Sequence, residues 1–419
     1  MLLSQKTIVK LNQTSSNIVG HMCYAAYKLW NVCNYERLHH KDLNLPVVFP
    51  NWYYQKKAHK DDLWYKQLPS QTAQEVCKLL DKSWTSYFKL LKTQGVENPN
   101  PPRFKHEPIA ITYMQNGIVH PIGEDIVRLS LPKRLKSFMS ETYGVDANYL
   151  FLKNNIFKVI DTIKQLKIYP PENGCCKIIV IYEIPDVLPL PDNGKYLSID
   201  IGIHNLMTCY NSSNGETFIV GRKYLAISRF YNKEIARIQS QWSSVQSKQG
   251  FLYPKSSKHI KQLYEKKNHT IHDYLHKTTR WIVNYCMDKG IHTVVIGDIT
   301  NIRKEKDYGN ITNQKLHGLP YKQIYDMLEY KLQRVGIRMV KQNEAYSSQT
   351  SPLKANVSKD TAEPEKRVYR GLFIDNGQKW NADCVGAYNI LRLYLSINKT
   401  NGMINLSDIK TPYIAKVAV

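Results

Sequence analysis

Two aspartates of the sequence have the surroundings expected of metal-binding carboxylates. Asp200 lies in SIDIGIHN, between isoleucines in a run that predicts a strand, where an unpaired charge would be costly unless it bound something. Asp383 lies in NADCVGAYNIL, at the start of a predicted helix whose small, apolar face could pack on a sheet. Phosphodiester hydrolysis with two divalent cations about 4 Å apart uses three or four carboxylates at strand ends. The residue types therefore predict a site for Mg²⁺ or Mn²⁺.

The third acid of such a site has two candidates. VVIGDI places Asp298 at the end of a predicted strand, and VKQNEAYSS places Glu344 at the end of the next strand. In a sheet with these strands adjacent, either carboxylate could reach the site, and the spacing leaves both open. The two aspartates also have structural interpretations. Asp200 could be a buried, paired residue, and Asp383 could be an acid favoured in the first turn by the helix dipole.

The first half of the chain is predicted to combine a helical segment with short strands. Residues 1–12 alternate enough to form an edge strand, and the periodicity of residues 16–35 predicts a helix. Ser70 is placed to cap a second helix, which runs through LLDKSWTSYFKLL. VENPNPPRFK, rich in proline and asparagine, ends that helical segment. Residues 103–185 then have the pattern of short strands joined by turns.

After the linker DVLPLPDNG, the pattern changes to that of an α/β domain. A long β-rich run, YLSIDIGIHNLMTCY, and the strand GETFIVG precede two basic helices, near residues 222–248 and 256–289. The apolar strand HTVVIGDI, a helix near 319–335 and the strand IRMVKQNE follow. Residues 345–382 are irregular, and CVGAYNILRLYLS predicts the last helix. The tail after Asn398 has no clear pattern.

The overall charge of the chain indicates a nucleic-acid partner. The 419 residues contain 58 Lys and Arg against 35 Asp and Glu, a net charge of +23, and are 42% hydrophobic. This composition predicts two or three globular domains, and a positive excess this large is usually neutralised by a polyanion. The sequence has no apolar run of about 18 residues, which a membrane span needs, and MLLSQKTIVKLNQ lacks the apolar region of a signal peptide. Scattered cysteines fit a reducing compartment, so we expect a cytoplasmic, nucleoid-associated protein.

The strongest candidate for phosphate binding is the basic region from residue 222 to residue 280. It has 13 Lys and Arg against three acids, Glu234, Glu265 and Asp273. Solvated helix faces usually mix charges of both signs, so this imbalance favours phosphate contacts. The predicted binding residues are Arg222, Lys223, Arg229, Lys233, Arg237, Lys258, Lys261, Lys266, Lys267, Lys277 and Arg280. The nearby histidines are interpreted as RNA-facing or packing residues rather than metal ligands: His269, His272 and His276.

Several of these segments together resemble one family. SIDIGIHNLMT, VVIGDITNIRK and WNADCVGAYNIL are similar to the three RuvC-like motifs of TnpB, the transposon-encoded relatives of the type V CRISPR nucleases. PPRFK, LPSQTAQEV, KKNHTIHDYLHK and YSSQTSP match further family segments in the family's order. The resemblance covers roughly residues 13–395.

The resemblance implies a multi-domain α+β fold. Its N-terminal half would be a wedge domain, β-barrel-like, with a helical recognition domain inserted, and its C-terminal half a RuvC-like nuclease of the RNase H fold. The implied boundaries are 1–12 and 96–190 for the wedge, 13–95 for the recognition domain, 191–344 for the nuclease, 345–382 for a target-nucleic-acid-binding insertion, 383–397 for the last nuclease helix and 398–419 for the tail.

The resemblance also implies a function. A structured guide RNA would pair with double-stranded DNA beside a short flanking motif, and a divalent-metal site would hydrolyse the DNA backbone, as an endonuclease of a transposable element. Two alternatives stay open: a nuclease-dead, RNA-guided repressor, and a resolvase that needs no guide.

Two departures from the family pattern matter for the site. The family's second motif usually has Glu where this chain has Gly297, and a similar subset moves the glutamate to the next strand, where Glu344 stands. The resemblance therefore favours Asp200, Glu344 and Asp383 as catalytic Mg²⁺ ligands, with Asp298 as the alternative third acid.

The second departure concerns zinc. Family members often hold zinc with two CxxC pairs in the insertion, but this chain has no thiol between Cys286 and Cys384. We expect no zinc, and an insertion ordered instead by the packing of its apolar side chains, which are Tyr369, Leu372, Phe373 and Trp380.

Overall fold

A computed structural model describes residues 1–93, 96–300, 307, 309–369, 371–398 and 406–418. The chain forms two compact units, Met1–Asp186 and Val187–Val419. Residues 301–304 of the VVIGDITNIRK segment and residues 399–405 of the predicted tail lie outside the described residues. None of the helices in the described part of the chain combines the length and apolarity needed to cross a membrane.

The described residues of the first unit form the helices α1 (Gln13–Leu38), α2 (Trp52–Ala58), α3 (Leu63–Lys66), α4 (Ser70–Thr93) and α5 (Lys133–Tyr143). Helix α1 begins after Asn12, whose side chain accepts a hydrogen bond of 2.8 Å from the Ser15 amide. Both long helices predicted in this region are confirmed. Ser70 was predicted to cap α4, but it is the first helical residue. The first helical hydrogen bond is accepted by the carbonyl of Pro69, the residue before it.

The strands of the first unit are β1 (Leu2–Lys10), β2 (Ile111–Met114), β3 (Ile118–Val119), β4 (Ile126–Ser130), β5 (Tyr149–Lys153), β6 (Thr162–Ile168) and β7 (Cys175–Glu183). One sheet has the order β1-β7-β6-β2 and the other the order β3-β4-β5, so β1 is the edge strand that was predicted. The barrel-like form implied by the resemblance is not seen among the described residues, because their strands make two open sheets. Strand β7 buries alternate residues such as Cys176, Ile178 and Val180, and thus covers the core with one face only.

The second unit is built on one six-stranded sheet of order β12-β11-β8-β9-β10-β15. Its strands are β8 (Tyr196–Asp200), β9 (Met207–Asn211), β10 (Thr217–Val220), β11 (Thr293–Gly297), β12 (Arg338–Gln342) and β15 (Tyr413–Ile414), with a separate hairpin of β13 (Phe373–Asp375) and β14 (Gln378–Trp380). Strands β8, β11 and β12 are parallel, and β9 is antiparallel to β8. Strand β11 is buried along its whole length, as expected for a strand covered on both faces.

The helices of this unit lie on both faces of the sheet. They are α6 (Tyr224–Lys248), α7 (Lys258–Lys289), α8 (Asn310–Gly318), α9 (Tyr321–Gln333) and α10 (Ala382–Asn398). Helices α7 and α9 share one apolar core with the sheet, which includes Ile282 and Leu328. Helix α10 packs on the other face through Ala387, Ile390 and Leu391.

Two sequence predictions for this unit were wrong. The run from 196 to 210 is not one continuous β segment but two antiparallel strands, with a turn after Asp200. The tail, for which no element was predicted, adds β15 to the sheet edge beside Phe218. A two-residue strand has too few positions to show a periodic pattern, and only its pairing with β10 defines it.

Candidate active site

The predicted acids lie at one edge of the sheet of the second unit. Asp200 is the last residue of β8, and Glu344 follows the last residue of β12 by two positions. Because β8, β11 and β12 are parallel, their carboxyl ends meet at the same edge. Asp383 is in the first turn of α10, which packs on β8. The topology thus brings three separate segments of the sequence to one place.

Gly297, at the end of β11, leaves room for the Glu344 side chain. A methyl group on Gly297 would overlap Oε2 of Glu344 and would lie 3.0 Å from Cδ1 of Ile390. The carboxylate of Glu344 therefore occupies space that a side chain at position 297 would need. This arrangement supports the interpretation in which the glutamate of the second motif stands on the neighbouring strand.

Gly386 plays a comparable steric role on helix α10. A methyl group at this position would lie 2.8 Å from Oδ2 of Asp200. The absence of a side chain therefore lets the helix backbone approach the end of β8 closely. Asp383, one turn earlier on the same helix, is carried toward the same edge.

The negative charges of the three acids exceed the positive charge of Arg367, the cation that acts on Asp200 and Asp383. The pKa of Asp200 is raised well above its usual value, first by burial and then by the negative charges of Glu344 and Asp383, while Arg367 opposes the shift. The pKa of Glu344 is raised to about 7, mainly by burial and in addition by Asp298. Oε2 of Glu344 is buried and has no hydrogen-bond partner within the described residues. Unpaired buried acids are costly, and a bound cation would remove that cost.

Asp383 is held by two side chains that the sequence did not predict as part of the site. The Asn205 amide donates a hydrogen bond of 2.8 Å to Oδ2, and the Arg367 guanidinium lies 3.3 Å from Oδ1. Asn205 closes the SIDIGIHN motif, so its place in a motif was the available signal. Arg367 lies in the irregular segment, where no periodic pattern indicated a role.

Asp298, the alternative third acid, caps a turn. Its Oδ1 accepts hydrogen bonds from the Thr300 amide, at 3.0 Å, and from the Thr300 hydroxyl, at 2.6 Å. This is the ordinary role of Asp before a turn. The geometry thus favours Glu344 over Asp298 as the third acid, although the negative charge of Asp298 still acts on Glu344.

The donor types fit a hard divalent cation better than zinc. Carboxylate oxygens are the ligands that Mg²⁺ prefers, and the unpartnered Oε2 of Glu344 is free to bind one. Within the described residues, however, no group of three or more His, Cys, Asp or Glu side chains is arranged to hold a metal ion. Arg367 is the positive charge that contacts Asp383 in this arrangement.

The strand ends that carry the site are fixed by a buried tyrosine and a buried asparagine. The Tyr325 hydroxyl donates to the Gly297 carbonyl at 2.6 Å and accepts from the Ile299 amide at 3.0 Å. The Asn389 amide of α10 donates to the carbonyls of Ser347, at 2.8 Å, and Thr350, at 2.7 Å. These bonds hold the segment that follows Glu344 against the helix that carries Asp383.

The insertion, residues 345–382, is ordered by ion pairs as well as by packing. Lys366 lies 2.8 Å from Glu363 and 2.7 Å from Asp375, of which Asp375 is buried. Phe373 is fully buried and packs with Trp380, as predicted. Tyr369 was wrongly predicted to pack, because 63% of its surface is exposed.

The predicted phosphate-binding side chains lie on helices α6 and α7 and just before α6. Ten of the eleven are exposed, and Lys267 is half-buried with its amine 2.6 Å from Oδ1 of Asn232. Two are already neutralised, since Arg237 pairs with Glu234 at 2.6 Å and Lys277 with Asp273 at 2.7 Å. In the described part of the chain, the other nine form no ion pair.

The three α7 histidines that were predicted to face RNA or to pack divide into two environments. His269 and His272 are exposed, and the rings of His272 and His276 lie 4.4 Å apart. Burial and the nearby charge of Lys331 lower the pKa of His276 to about 4, so this ring is neutral at physiological pH. A neutral, half-buried ring agrees with a packing role for His276.

Two family models match the sequence, mostly within the second unit. The OrfB_IS605 model, described as a probable transposase, matches residues 179–303, which include Asp200. The Cas12f1-like TNB domain model matches residues 321–390, which include Glu344 and Asp383. Over these two segments, the chain is similar to TnpB-like transposases and to Cas12f1-like effectors. No curated protein sequence matches it.

Solved structures share the fold of this TnpB-like chain. A Cas12f1 complex with sgRNA and target DNA has a TM-score of 0.57 and 15% identity, covering 90% of this chain and 83% of that one. CasPhi-2 (Cas12j) bound to crRNA and phosphorothioate-DNA has a TM-score of 0.50 and 8% identity, covering 94% and 91%. At these identities the likeness establishes a mixed α+β fold with a RuvC-like domain.

Proposed function

We propose that this TnpB-like chain is an RNA-guided DNA endonuclease of a transposable element. A structured guide RNA pairs with one strand of double-stranded DNA, next to a short flanking motif, and the second unit hydrolyses the DNA backbone. The observation that carries the proposal is that Asp200, Glu344 and Asp383 lie near one sheet edge, where the charges of the other two act on Asp200, in a chain of net charge +23. The expected location is the cytoplasm, at the nucleoid.

Asp200, Glu344 and Asp383 would hold Mg²⁺ or Mn²⁺, and no zinc is expected. When bound, the divalent cations supply an activated water and stabilise the charge that develops in an in-line displacement. The protein contributes two carboxylates, of Asp200 and Glu344, whose pKa burial raises, and a bound cation would offset the cost of their negative charge. Asn205 orients the carboxylate of Asp383 through its 2.8 Å hydrogen bond. Arg367 neutralises part of the negative charge at the same carboxylate.

A nuclease-dead, RNA-guided repressor is the alternative, because Gly297 stands where the family usually has Glu. The contact between Glu344 and Gly297 argues against this alternative. A site losing its function would have no reason to keep a glutamate beside the vacated position with its Oε2 atom buried and without a partner among the described residues. A guide-free resolvase would bind DNA without RNA.

The function is tested by purifying the full chain with its RNA and sequencing that RNA. We expect one structured RNA species, and cleavage in Mg²⁺ of duplex DNA that matches its guide segment. Ribonuclease treatment should abolish this cleavage. Matched DNA that is bound but never cut would support the repressor, and RNA-free protein that cuts any branched DNA would support the resolvase.

The basic residues just before and within α6 lead to a separate prediction about RNA affinity. Replacing Arg222, Lys223, Arg229 and Lys233 with Gln should weaken RNA binding and flatten its salt dependence. Each lost phosphate contact should reduce the slope of log K against log salt by up to about one unit. Filter binding of the RNA over a series of KCl concentrations measures this slope.

Arg237→Gln is the matched control, because Glu234 already neutralises that side chain. This variant should change the slope less than any single unpaired residue does. If the fourfold variant keeps the slope of the parent, the RNA backbone does not contact those four residues.

A further inference from the structure

A cavity of about 550 Å³ lies within the first unit, far along the sequence from the acids of the second unit. Its walls come from α1, α3, the residue after α3, and α5. This volume falls within the range of small-ligand sites in proteins, about 300–1,000 Å³. Nothing in the proposed cleavage reaction uses it, so its lining must be explained separately.

The lining is rich in rings placed for stacking. His21 of α1 stacks on Phe138 of α5, with ring centroids 4.1 Å apart and planes inclined by 22°. Tyr24 meets Trp64 edge to face at 5.6 Å, and Tyr143 meets Phe138 in the same way at 6.2 Å. Burial lowers the pKa of His21, so the ring is neutral and suited to stacking on an aromatic ligand. Flat faces of this kind suit a planar heterocycle.

The cavity also contains polar atoms that the protein does not satisfy. Gln67 is only 3% exposed, and its Oε1 has no hydrogen-bond partner within the described residues. Nε2 of His21 is likewise buried without a partner at hydrogen-bond geometry, and the neighbouring Gln67 side chain is the group whose hydrogen bonding opposes the lowering of the His21 pKa by burial. An unsatisfied buried polar group costs about 1–3 kcal/mol, so it needs a reason. A ligand with donors and acceptors along one edge would supply it.

Charged residues at and beside the cavity suit a ligand that carries phosphate. Arg134 lines the cavity from the first turn of α5 and is exposed to solvent. Lys28 is outside the lining, but its amine lies 5.3 Å from the ring centroid of Tyr24, which is part of the lining. The ring faces and the amide of the cavity suit a base, and the nearby cations suit the phosphate backbone to which that base is attached. The one acid of the lining, Glu141, is exposed.

We propose that this cavity binds one unstacked base of the bound RNA. The His21–Phe138 pair lies against the base, and the Gln67 amide contacts its hydrogen-bonding edge. RNA is favoured over target DNA because folded RNAs present unpaired bases in loops and bulges, whereas a duplex base must first be flipped out at a cost of a few kcal/mol. The inference rests on the proposed function, which supplies the RNA.

The test is ultraviolet crosslinking of the full chain with its co-purified RNA, followed by mass spectrometry of the nucleotide-bearing peptides. We expect a crosslink within residues 16–24, 63–67 or 134–143. Phe138→Ala should reduce the yield of that crosslink and weaken RNA binding about tenfold, the range found for loss of one stacked base. Gln67→Met keeps the side-chain volume and loses the polar edge, so it should weaken binding while leaving thermal stability equal or higher.

Phe88→Ala is the matched control, because Phe88 is a partly exposed ring of α4 outside the cavity lining. It should leave the crosslink unchanged. Three results would overturn the inference. The first is RNA-loaded parent protein without a crosslink in the three segments, and the second is full RNA affinity in Gln67→Met and Phe138→Ala. The third is a crosslink that forms with added DNA alone. The RNA content of the parent is measured first. RNA-free parent protein would refute the proposed function itself, and the cavity inference with it.

Discussion

Glu344→Gln should abolish guided DNA cleavage while leaving guide and target binding intact. The amide keeps the shape of the side chain but loses the charge that would hold a divalent cation. We expect a loss of at least about a thousandfold, the scale for one member of a catalytic unit. Folding should not suffer. Because burial raises the pKa of Glu344 from 4.5 to about 7, the protein loses stability as the pH rises through this window, and the neutral amide removes this cost.

Asp298→Asn is the comparison variant for this prediction. Its side chain caps the turn at Thr300, and the amide oxygen of Asn can accept the same hydrogen bonds. Cleavage by this variant should fall only a few-fold. Gel-based cleavage rates on a matched duplex, beside binding measured without a divalent cation, separate the two residues. Inactivity at Asp298→Asn with activity at Glu344→Gln would assign the third ligand to Asp298.

Gly297→Ala should have the second large effect, although it adds only one methyl group. That methyl would overlap Oε2 of Glu344, so the carboxylate must move away from the edge of the sheet. The Glu344 oxygen is the end of a flexible side chain, and the change should therefore cost little stability. Misplacing a catalytic group by about 1 Å can cost about a hundredfold in rate. We expect a loss of that size, measured as the rate of matched-duplex cleavage at saturating Mg²⁺.

Gly318→Ala is the matched control, because a methyl group at this position meets no atom within 4 Å in the described structure. It should cleave at the parent rate. Parental cleavage by Gly297→Ala would show that the reaction does not require the carboxylate of Glu344 at this place. Thermal unfolding of both variants distinguishes a displaced carboxylate from a damaged sheet.

The sequence was most informative where local pattern and chemistry coincide. Asp200 stands out because a charge in an apolar strand needs an explanation, and Asp383 because a small-residue helix face must pack closely. The strands that carry Asp200 and precede Glu344 also followed from their apolar runs. Which of Asp298 and Glu344 reaches the site depends on how two strands end, and residue spacing does not contain that information.

Contacts between distant segments could not be predicted in this way. Asn205 and Asp383 are separated by 178 positions, and only the docking of α10 on β8 brings them together. The approach of the Glu344 carboxylate to Gly297 depends in the same way on the pairing of β11 with β12. Tyr369 was predicted to pack from its residue type, yet 63% of its surface is exposed.

The central claim is that Asp200, Glu344 and Asp383 act as one catalytic unit on guide-matched DNA. Single-turnover cleavage rates in Mg²⁺ of the parent, Asp200→Asn, Glu344→Gln, Asp383→Asn and the triple variant test it most directly. We predict that each single variant loses nearly all activity and that the triple variant is no slower than any of them, because residues acting as a unit are not additive. Losses that accumulate from single to triple variant, or any single variant that cuts at the parent rate, would contradict the assignment.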